Sequence, residues 1–297
     1  MTDAGLARQR LWARLGTTPG AAPPGECVAQ ESRDGYTLER WRLDFADGPA
    51  AALITLPATT PRGLVLYHHA HGNRFDIGKD ELVDGRPALV RPYAHDLASH
   101  GWAALAIDHR GFGERSSVSE RMLVKRELWQ GRTLWGRRVA DAVEAVSFAR
   151  AQPRFAALPL CAFGMSMGST LAWWSAALDP RIDGVAELCC LAEFDALLAS
   201  GAYDLHGEYF FVPGLLGEFT AAAINALIAP RPHLSIVGRD DPLTPPEGVA
   251  SIGAALRAAY AAAGAGAAWR QSIHPVGHRE TPAMRDEVLG FLDALAR

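Results

Sequence analysis

The sequence predicts an α/β protein built on a mostly parallel, twisted sheet of about eight strands with helices on both faces. Three observations carry that prediction. Short, continuously apolar segments recur along the 297-residue chain and alternate with amphipathic helical stretches, the rhythm of βαβ units whose strands are buried on both faces. Strict polar/apolar alternation is confined to the N-terminal part, where it suggests an antiparallel hairpin. The chain is 49% hydrophobic and 21% charged with a formal charge of −4, enough apolar material for a sizeable core and too little charge for disorder.

Taken in order, residues 1–16 read as a short amphipathic helix without the apolar centre of a secretory signal. Residues 16–26 are rich in Pro and Gly and read as a linker, so the chain divides into an extension (1–26) and one domain (27–297). Residues 36–45 and 50–56 flank the turn Ala46-Asp47-Gly48 and predict a hairpin. Parallel strands follow at 64–67, 102–107, 158–163, 185–191, 233–237 and 268–273. Helices are expected around 91–100, over one long stretch of about 120–151 and from 167 to about 178. Two more are expected over 247–263 and 282–296. The face of the long helix is set by Leu128, Trp135, Val139, Val143 and Val146.

Residues 191–230 break this rhythm. They hold five acids (Glu193, Asp195, Asp204, Glu208, Glu218) and no Lys or Arg. They read as a small lid over the C-terminal edge of the sheet, the alternative being irregular helices packed on the core. On the lid reading the negative charge sits above the active serine and disfavours anionic substrates. Residues 110–138 show the opposite bias, eight Arg/Lys against three Glu. They read as a solvated helix face or as a partner for the lid acids.

Near-neutral charge argues against nucleic acid or an anionic membrane as partner, and no apolar stretch approaches the roughly 18 residues of a membrane span. The four cysteines (Cys27, Cys161, Cys189, Cys190) are too few for a disulfide framework. Buried thiols are expected for the last three, rather than bridges or a metal site. A cytoplasmic protein without cofactor is the expectation.

The chemistry concentrates in Gly164-Met165-Ser166-Met167-Gly168. This G-x-S-x-G follows an apolar strand and opens a helical pattern, the context of a nucleophile elbow. A serine hydroxyl needs a base, and the base needs an orienting acid. Two late loops supply both. After the strand at 233–237 come Asp240 and Asp241, of which Asp241 is preferred because it stands three after Gly238 and four before Pro245. After the strand at 268–273 come His274 and His278, of which His278 is preferred because it sits free in the loop beyond Gly277. The oxyanion requires two N–H donors. Met167 provides one, and His71 or Asn73 in the loop after the strand at 64–67 the other, with the His71 backbone favoured. The cluster His68, His69 and His71 invites a metal reading, but no spaced partner or acidic ligand set accompanies it. Tyr209 and Phe210, with Phe211, are candidates for the wall of a substrate pocket. Arg110 is expected to brace its loop through backbone carbonyls.

Over about residues 36–297 these motifs resemble the α/β-hydrolase superfamily, and within it the dienelactone-hydrolase-like and acetyl-xylan-esterase-like branch. Supporting segments are His69-Ala70-His71-Gly72 with Gly78-Lys79-Asp80-Glu81, Asp108 to Glu114, Gly164 to Gly168, Ala229 to Pro232 and Gly238 to Pro245. The resemblance implies an α/β-hydrolase fold, Ser166 as nucleophile, Asp241 as acid, His278 as base, and no metal or organic cofactor. Ser169 departs from the glycine frequent at its position. Dienelactone hydrolases proper use a cysteine nucleophile, so their substrate does not carry over to Ser166. The expected activity is hydrolysis of small-molecule carboxylic esters through an acyl-enzyme. Thioesterase, amidase or peptidase and C–C hydrolase chemistry use the same triad, and a non-catalytic binding module is the rival from another class.

Overall fold

The structure, a computed structural model, describes residues 3–296; Met1, Thr2 and Arg297, at the two ends of the expected extension and domain, lie outside the described residues. The chain begins with α1 (Asp3–Leu15), then β1 (Gly25–Arg33), β2 (Tyr36–Phe45), β3 (Gly48–Pro57) and β4 (Gly63–His68). There follow α2 (Glu81–Asp84), α3 (Ala94–Ser99), β5 (Trp102–Ile107), α4 (Glu120–Trp129), α5 (Leu134–Ala151), β6 (Leu160–Met165) and α6 (Met167–Leu178). The last part runs β7 (Gly184–Leu188), α7 (Phe194–Ser200), α8 (Ala221–Ala226), β8 (His233–Gly238), α9 (Pro246–Ala262), β9 (Trp269–His274) and α10 (Pro282–Leu295).

The strands form one nine-stranded sheet in the order β1-β2-β3-β5-β4-β6-β7-β8-β9. β1, β2 and β3 pair antiparallel with one another and β3 does so with β5, while every later pairing is parallel. The central strands show why their apolar segments are unbroken. Leu64 and Leu66 of β4 face a core shared with α1, α5, α6 and α9. Val65 and Tyr67 face the opposite core, shared with α3 and α10. Successive side chains of a strand point to opposite faces, and here both faces are dry.

Where the structure departs from the sequence reading, the reason is local. The ninth strand, β1, is an edge strand with almost every residue exposed, so it carries no burial alternation to read. The long helix expected over 120–151 is two helices, broken at Gln130 and Gly131, the latter at φ 73. Thr133 restarts it by accepting the Gly136 N–H at 2.9 Å, an N-cap. Leu128, assigned to the buried face, is 46% exposed. β7 stops at Leu188, three residues early, because Cys189 turns to φ 57. α1 lays Leu11 and Leu15 in the main core, and its Arg8 donates to the Ala177 and Leu227 carbonyls at 2.7 and 2.9 Å. Among the described residues no helix is long and apolar enough to cross a membrane.

The order β5-β4-β6 means that the chain leaves β4 in one direction and returns on its other side. That reversal opens a crevice at the C-terminal ends of β4 and β6, the place where such sheets bind ligands. The floor beside it is built of histidines. His68, His69 and His109 are buried. His68 Nδ1 lies 3.1 Å from His109 Nε2, the His109 N–H donates to His69 Nε2 at 3.2 Å, and His69 Nδ1 donates to the Ala70 carbonyl at 3.0 Å. Accepting at Nε2 and donating at Nδ1, His69 is the neutral Nδ1–H tautomer.

Burial lowers His68 and His69 to about 3 and His109 well below its usual value. An unfolded chain binds protons on these rings near pH 6.5, whereas the fold does not, so stability falls as pH drops below that point. The expected loss approaches about 1.4 kcal/mol per pH unit for each ring. Urea midpoints measured from pH 7.5 down to 5 should decline accordingly, and a flat profile contradicts the assignment.

Candidate active site

Ser166 joins β6 to α6 at φ 58 and ψ −121, a conformation an L-residue keeps only when its surroundings impose it. Three contacts impose it here. The Ser166 N–H donates to the Leu188 carbonyl at the end of β7, 2.9 Å away. A Cβ at either Gly164 or Gly168 would run into the His68 carbonyl, so the two glycines allow the end of β4 to press against the turn. Ser169, which looked like a mild departure in sequence, is the third. Its buried hydroxyl accepts the Leu188 N–H at 2.7 Å and lies 2.6 Å from the Gly164 carbonyl and 2.7 Å from that of Leu188. This clamp between turn and neighbouring strand has no sequence signature.

The loops after β8 and β9 meet each other close to Cys189, which lines the same space as Ser166. Backbone bonds from Arg239 to His274 (2.7 Å) and from Asp240 to Val276 (3.1 Å) knit them together. His278 Nδ1 lies 2.7 Å from Asp241 Oδ2, and the other carboxylate oxygen accepts the Leu243 N–H at 3.0 Å. Asp241 is buried while Asp240 points to solvent. His274 is engaged elsewhere, with Glu287 at 2.7 Å. Of the four candidates the structure thus brings together Asp241 and His278 and leaves Asp240 and His274 apart. A carboxylate on Nδ1 holds the proton there and leaves Nε2 free as a base.

Two N–H groups near the crevice, those of Met167 and His71, have no acceptor among the described residues. Their neighbours are occupied: the Ala70 N–H donates to the Glu81 carboxylate at 3.0 Å, and the Asn73 N–H to His71 Nδ1 at 3.1 Å. The His71 ring is held on its far side by Glu120, 3.0 Å from Nε2. Glu120 in turn accepts from the fully buried Arg138 at 2.7 Å. Burial works against the Glu120 charge, but the hydrogen bond from His71 and the Arg138 cation outweigh it and keep the carboxyl below its usual value. Arg138 also donates to the Arg110 carbonyl at 2.7 Å, touches Met167 Sδ at 3.4 Å and lies 4.8 Å above the Tyr209 ring. One buried guanidinium therefore touches Met167 directly and reaches His71 through Glu120. It is Arg138 that braces this loop through a carbonyl; Arg110 instead pairs with Asp47 at 2.6 Å and Asp141 at 2.8 Å.

Residues 191–230 fold over this edge as α7, α8 and single helical turns. Tyr209 stacks on His71 with ring centroids 4.7 Å apart. Tyr209 and Phe210 both line the space into which Ser166 opens, together with Thr170, Trp173, Cys190 and Leu197. That space measures about 30 Å³, room for one or two waters. Two of the five lid acids are consumed within the fold. Glu193 accepts N–H groups from Phe194, Ala221 and Ala222 at 2.7–3.1 Å, and Glu218 pairs with Arg10 and Arg14 of α1. Asp195, Asp204 and Glu208 are exposed, and none of the three lines the serine space. The basic stretch pairs with Asp47, Glu120, Glu127 and Asp141, and among the described residues no ion pair joins it to the lid. The reading that paired the basic stretch with the acids of 191–230 is thereby corrected, whereas Arg121, Lys125 and Arg126 of α4 are exposed, as the solvated-face reading requires.

Among the described residues one group has metal-ligand character, Cys189 Sγ with an Asp241 oxygen and a His278 nitrogen, all within 4.8 Å. Burial, reinforced by the Asp241 charge, pushes the Cys189 thiol up to about 12.

Comparison with known proteins bears on the fold and the family. The family described as Hydrolase_4, Serine aminopeptidase S33, matches residues 88–201. A Bacillus subtilis (strain 168) protein named "Putative hydrolase YtaP" is 38% identical over 290 residues, 96% of this chain and 97% of its own. Among solved structures, the glucuronoyl esterase from Solibacter usitatus superposes with a TM-score of 0.69 at 15% identity, covering 97% of this chain and 91% of that one. Acetyl xylan esterase 1 from Thermoanaerobacterium sp. JW/SL YS485 does so with a TM-score of 0.64 at 14% identity, covering 99% and 93%. At such identities the structures speak for the fold and the Bacillus relative for the family. The chain belongs to the α/β-hydrolase superfamily, in the family that includes YtaP.

Proposed function

We propose that the protein hydrolyses carboxylic esters of small molecules, with Ser166, His278 and Asp241 as its triad and no cofactor. The observation that carries this reading is the 2.7 Å His278–Asp241 pair, which lies close to Cys189, a residue lining the same space as Ser166, whose backbone is held at φ 58. In the proposed cycle Ser166 Oγ attacks the acyl carbon and its proton passes to His278 Nε2. The free N–H groups of Met167 and His71 take the oxyanion. The carbon–oxygen bond to the alcohol breaks as His278 returns the proton to the leaving oxygen. Water then attacks the acyl-enzyme by the same route in reverse. Esterases among the structural neighbours fit this choice of bond, and the small space at Ser166 favours an acetyl-sized acyl group.

Ser166→Ala should lower kcat/KM for p-nitrophenyl acetate on the order of 10⁴-fold or more and abolish labelling by a fluorophosphonate. Unchanged turnover would sink the triad. In a panel of acyl esters, thioesters and anilides, acetate esters should be the best substrates of the unmodified enzyme. The Glu120–Arg138 pair is assigned a positioning role through the His71 loop. Glu120→Gln weakens that grip while keeping the shape, so kcat for the acetate should fall roughly tenfold, a fraction of the 10²–10³ typical for removal of an oxyanion donor, with KM nearly constant. A parallel rise in KM, or loss of folded protein alone, would make the pair merely structural.

A further inference from the structure

We propose that a second, apolar chamber beneath residues 191–230 is a latent acyl-tail subsite, and that the Phe210 ring, by closing it off from the serine, sets the acyl-length limit that makes acetate esters the preferred substrates of the unmodified enzyme. The proposal rests on the ester-hydrolase reading and adds to it the residue that determines acyl-chain specificity. The chamber holds about 260 Å³, against about 30 Å³ at Ser166. That is close to the lower end of ligand pockets, about 300 Å³. Phe194, Leu197 and Phe210 line both spaces, so they form the partition between them. The chamber's other walls come from Trp174 of α6 and from lid residues 198–217, and the side chains lining it are almost all apolar.

Two features identify the occupant. The serine space is lined by Met167 and Thr170 but not by His278 or Asp241. The leaving alcohol must receive its proton from His278, so the alcohol lies on the histidine side and the acyl group on the side that leads to the chamber. The chamber's mouth, in turn, carries a concentration of exposed large apolar side chains: Leu198, Tyr203, Phe211 and Leu216 are each 42–49% exposed. Isolated exposed apolar residues need no explanation, but a contiguous ring of them around an apolar cavity marks a binding site.

Phe210 is suited to be the partition because it is only partly buried, at the margin of the main core, and is held there by neighbouring rings. It stacks on His206 with centroids 5.3 Å apart and meets Phe194 and Trp135 edge-on at 5.9 and 6.0 Å. His206 is anchored by the Leu243 carbonyl at 3.1 Å, two residues beyond Asp241. Swinging or removing the ring joins the two spaces without touching Ser166, Asp241 or His278.

The test compares p-nitrophenyl octanoate with p-nitrophenyl acetate in the full-length chain. Each methylene buried gains roughly fourfold, so in Phe210→Ala the octanoate-to-acetate ratio of kcat/KM should rise at least tenfold. Leu215→Trp, which fills the chamber from its far wall, should reverse the gain when added to Phe210→Ala. If Phe210→Ala does not fold, Phe210→Leu serves, with a smaller rise in the same direction. A ratio unchanged within twofold, with acetate turnover and fluorophosphonate labelling intact, overturns the subsite while leaving the hydrolase reading standing. So does a change confined to the alcohol series at constant acyl group. Loss of the hydrolase reading would instead appear as acetate turnover that survives Ser166→Ala.

Discussion

The arrangement at the sheet's C-terminal edge depends on one close approach, that of the His68 carbonyl at the end of β4 to the turn between β6 and α6. Two glycines, Gly164 and Gly168, make room for it, and Ser166 between them is driven into positive φ. Such strain persists only where the surroundings over-determine it. Here the Ser166 N–H is taken by Leu188 and the Ser169 hydroxyl binds the same strand. The consequence is chemical. Ser166 and Met167, the first residue of the 12-residue helix α6, both line the space at this edge, and the Met167 N–H has no acceptor among the described residues.

Around that turn lies a polar interior of unusual extent. His68, His69 and His109 form a chain of neutral rings under the crevice, and His71, Glu120 and Arg138 form a charged one beside it. Breaking a buried charge pair by removing one partner costs about 3–5 kcal/mol, so these groups make the loop after β4 expensive to displace. They contribute placement more than net stability, because a well-packed apolar substitute for such a pair is often equally stable. The Arg138 cation, in contact with Met167 and above Tyr209, couples the start of α6 to the 191–230 segment.

The 191–230 segment lines the space at Ser166 through Ala192, Phe194, Leu197, His206, Tyr209 and Phe210. Its acids stitch it down: Glu193 gathers the first N–H groups of α7 and α8, where helix dipoles favour a negative charge, and Glu218 ties it to α1. The N-terminal helix is therefore part of what holds the roof of the serine space. Short aromatic turns, not long helices, make up the ceiling, which leaves two chambers of unequal size divided by side chains alone.

Much of this was legible in the residues. Apolar strands buried on both faces, the G-x-S-x-G turn and the loops bearing Asp241 and His278 are local features, and periodicity, glycine placement and chain order report local features directly. Edge strand β1 was not legible because solvent covers both its faces, nor the break at Gly131, because a residue-by-residue apolar stripe continues through a turn that only φ reveals. The preference for Asp241 over Asp240 and for His278 over His274, made on spacing, matches the hydrogen bond that joins loops 37 residues apart. The roles of Ser169, Glu120 and Arg138 were invisible. Each acts across the fold on a partner whose identity depends on where other strands and helices end. Sequence determined which elements form and which residues can do chemistry. Tertiary structure alone decided which charges neutralise each other, which N–H groups stay free and how the lid divides its space, because those depend on distances that no spacing along the chain encodes.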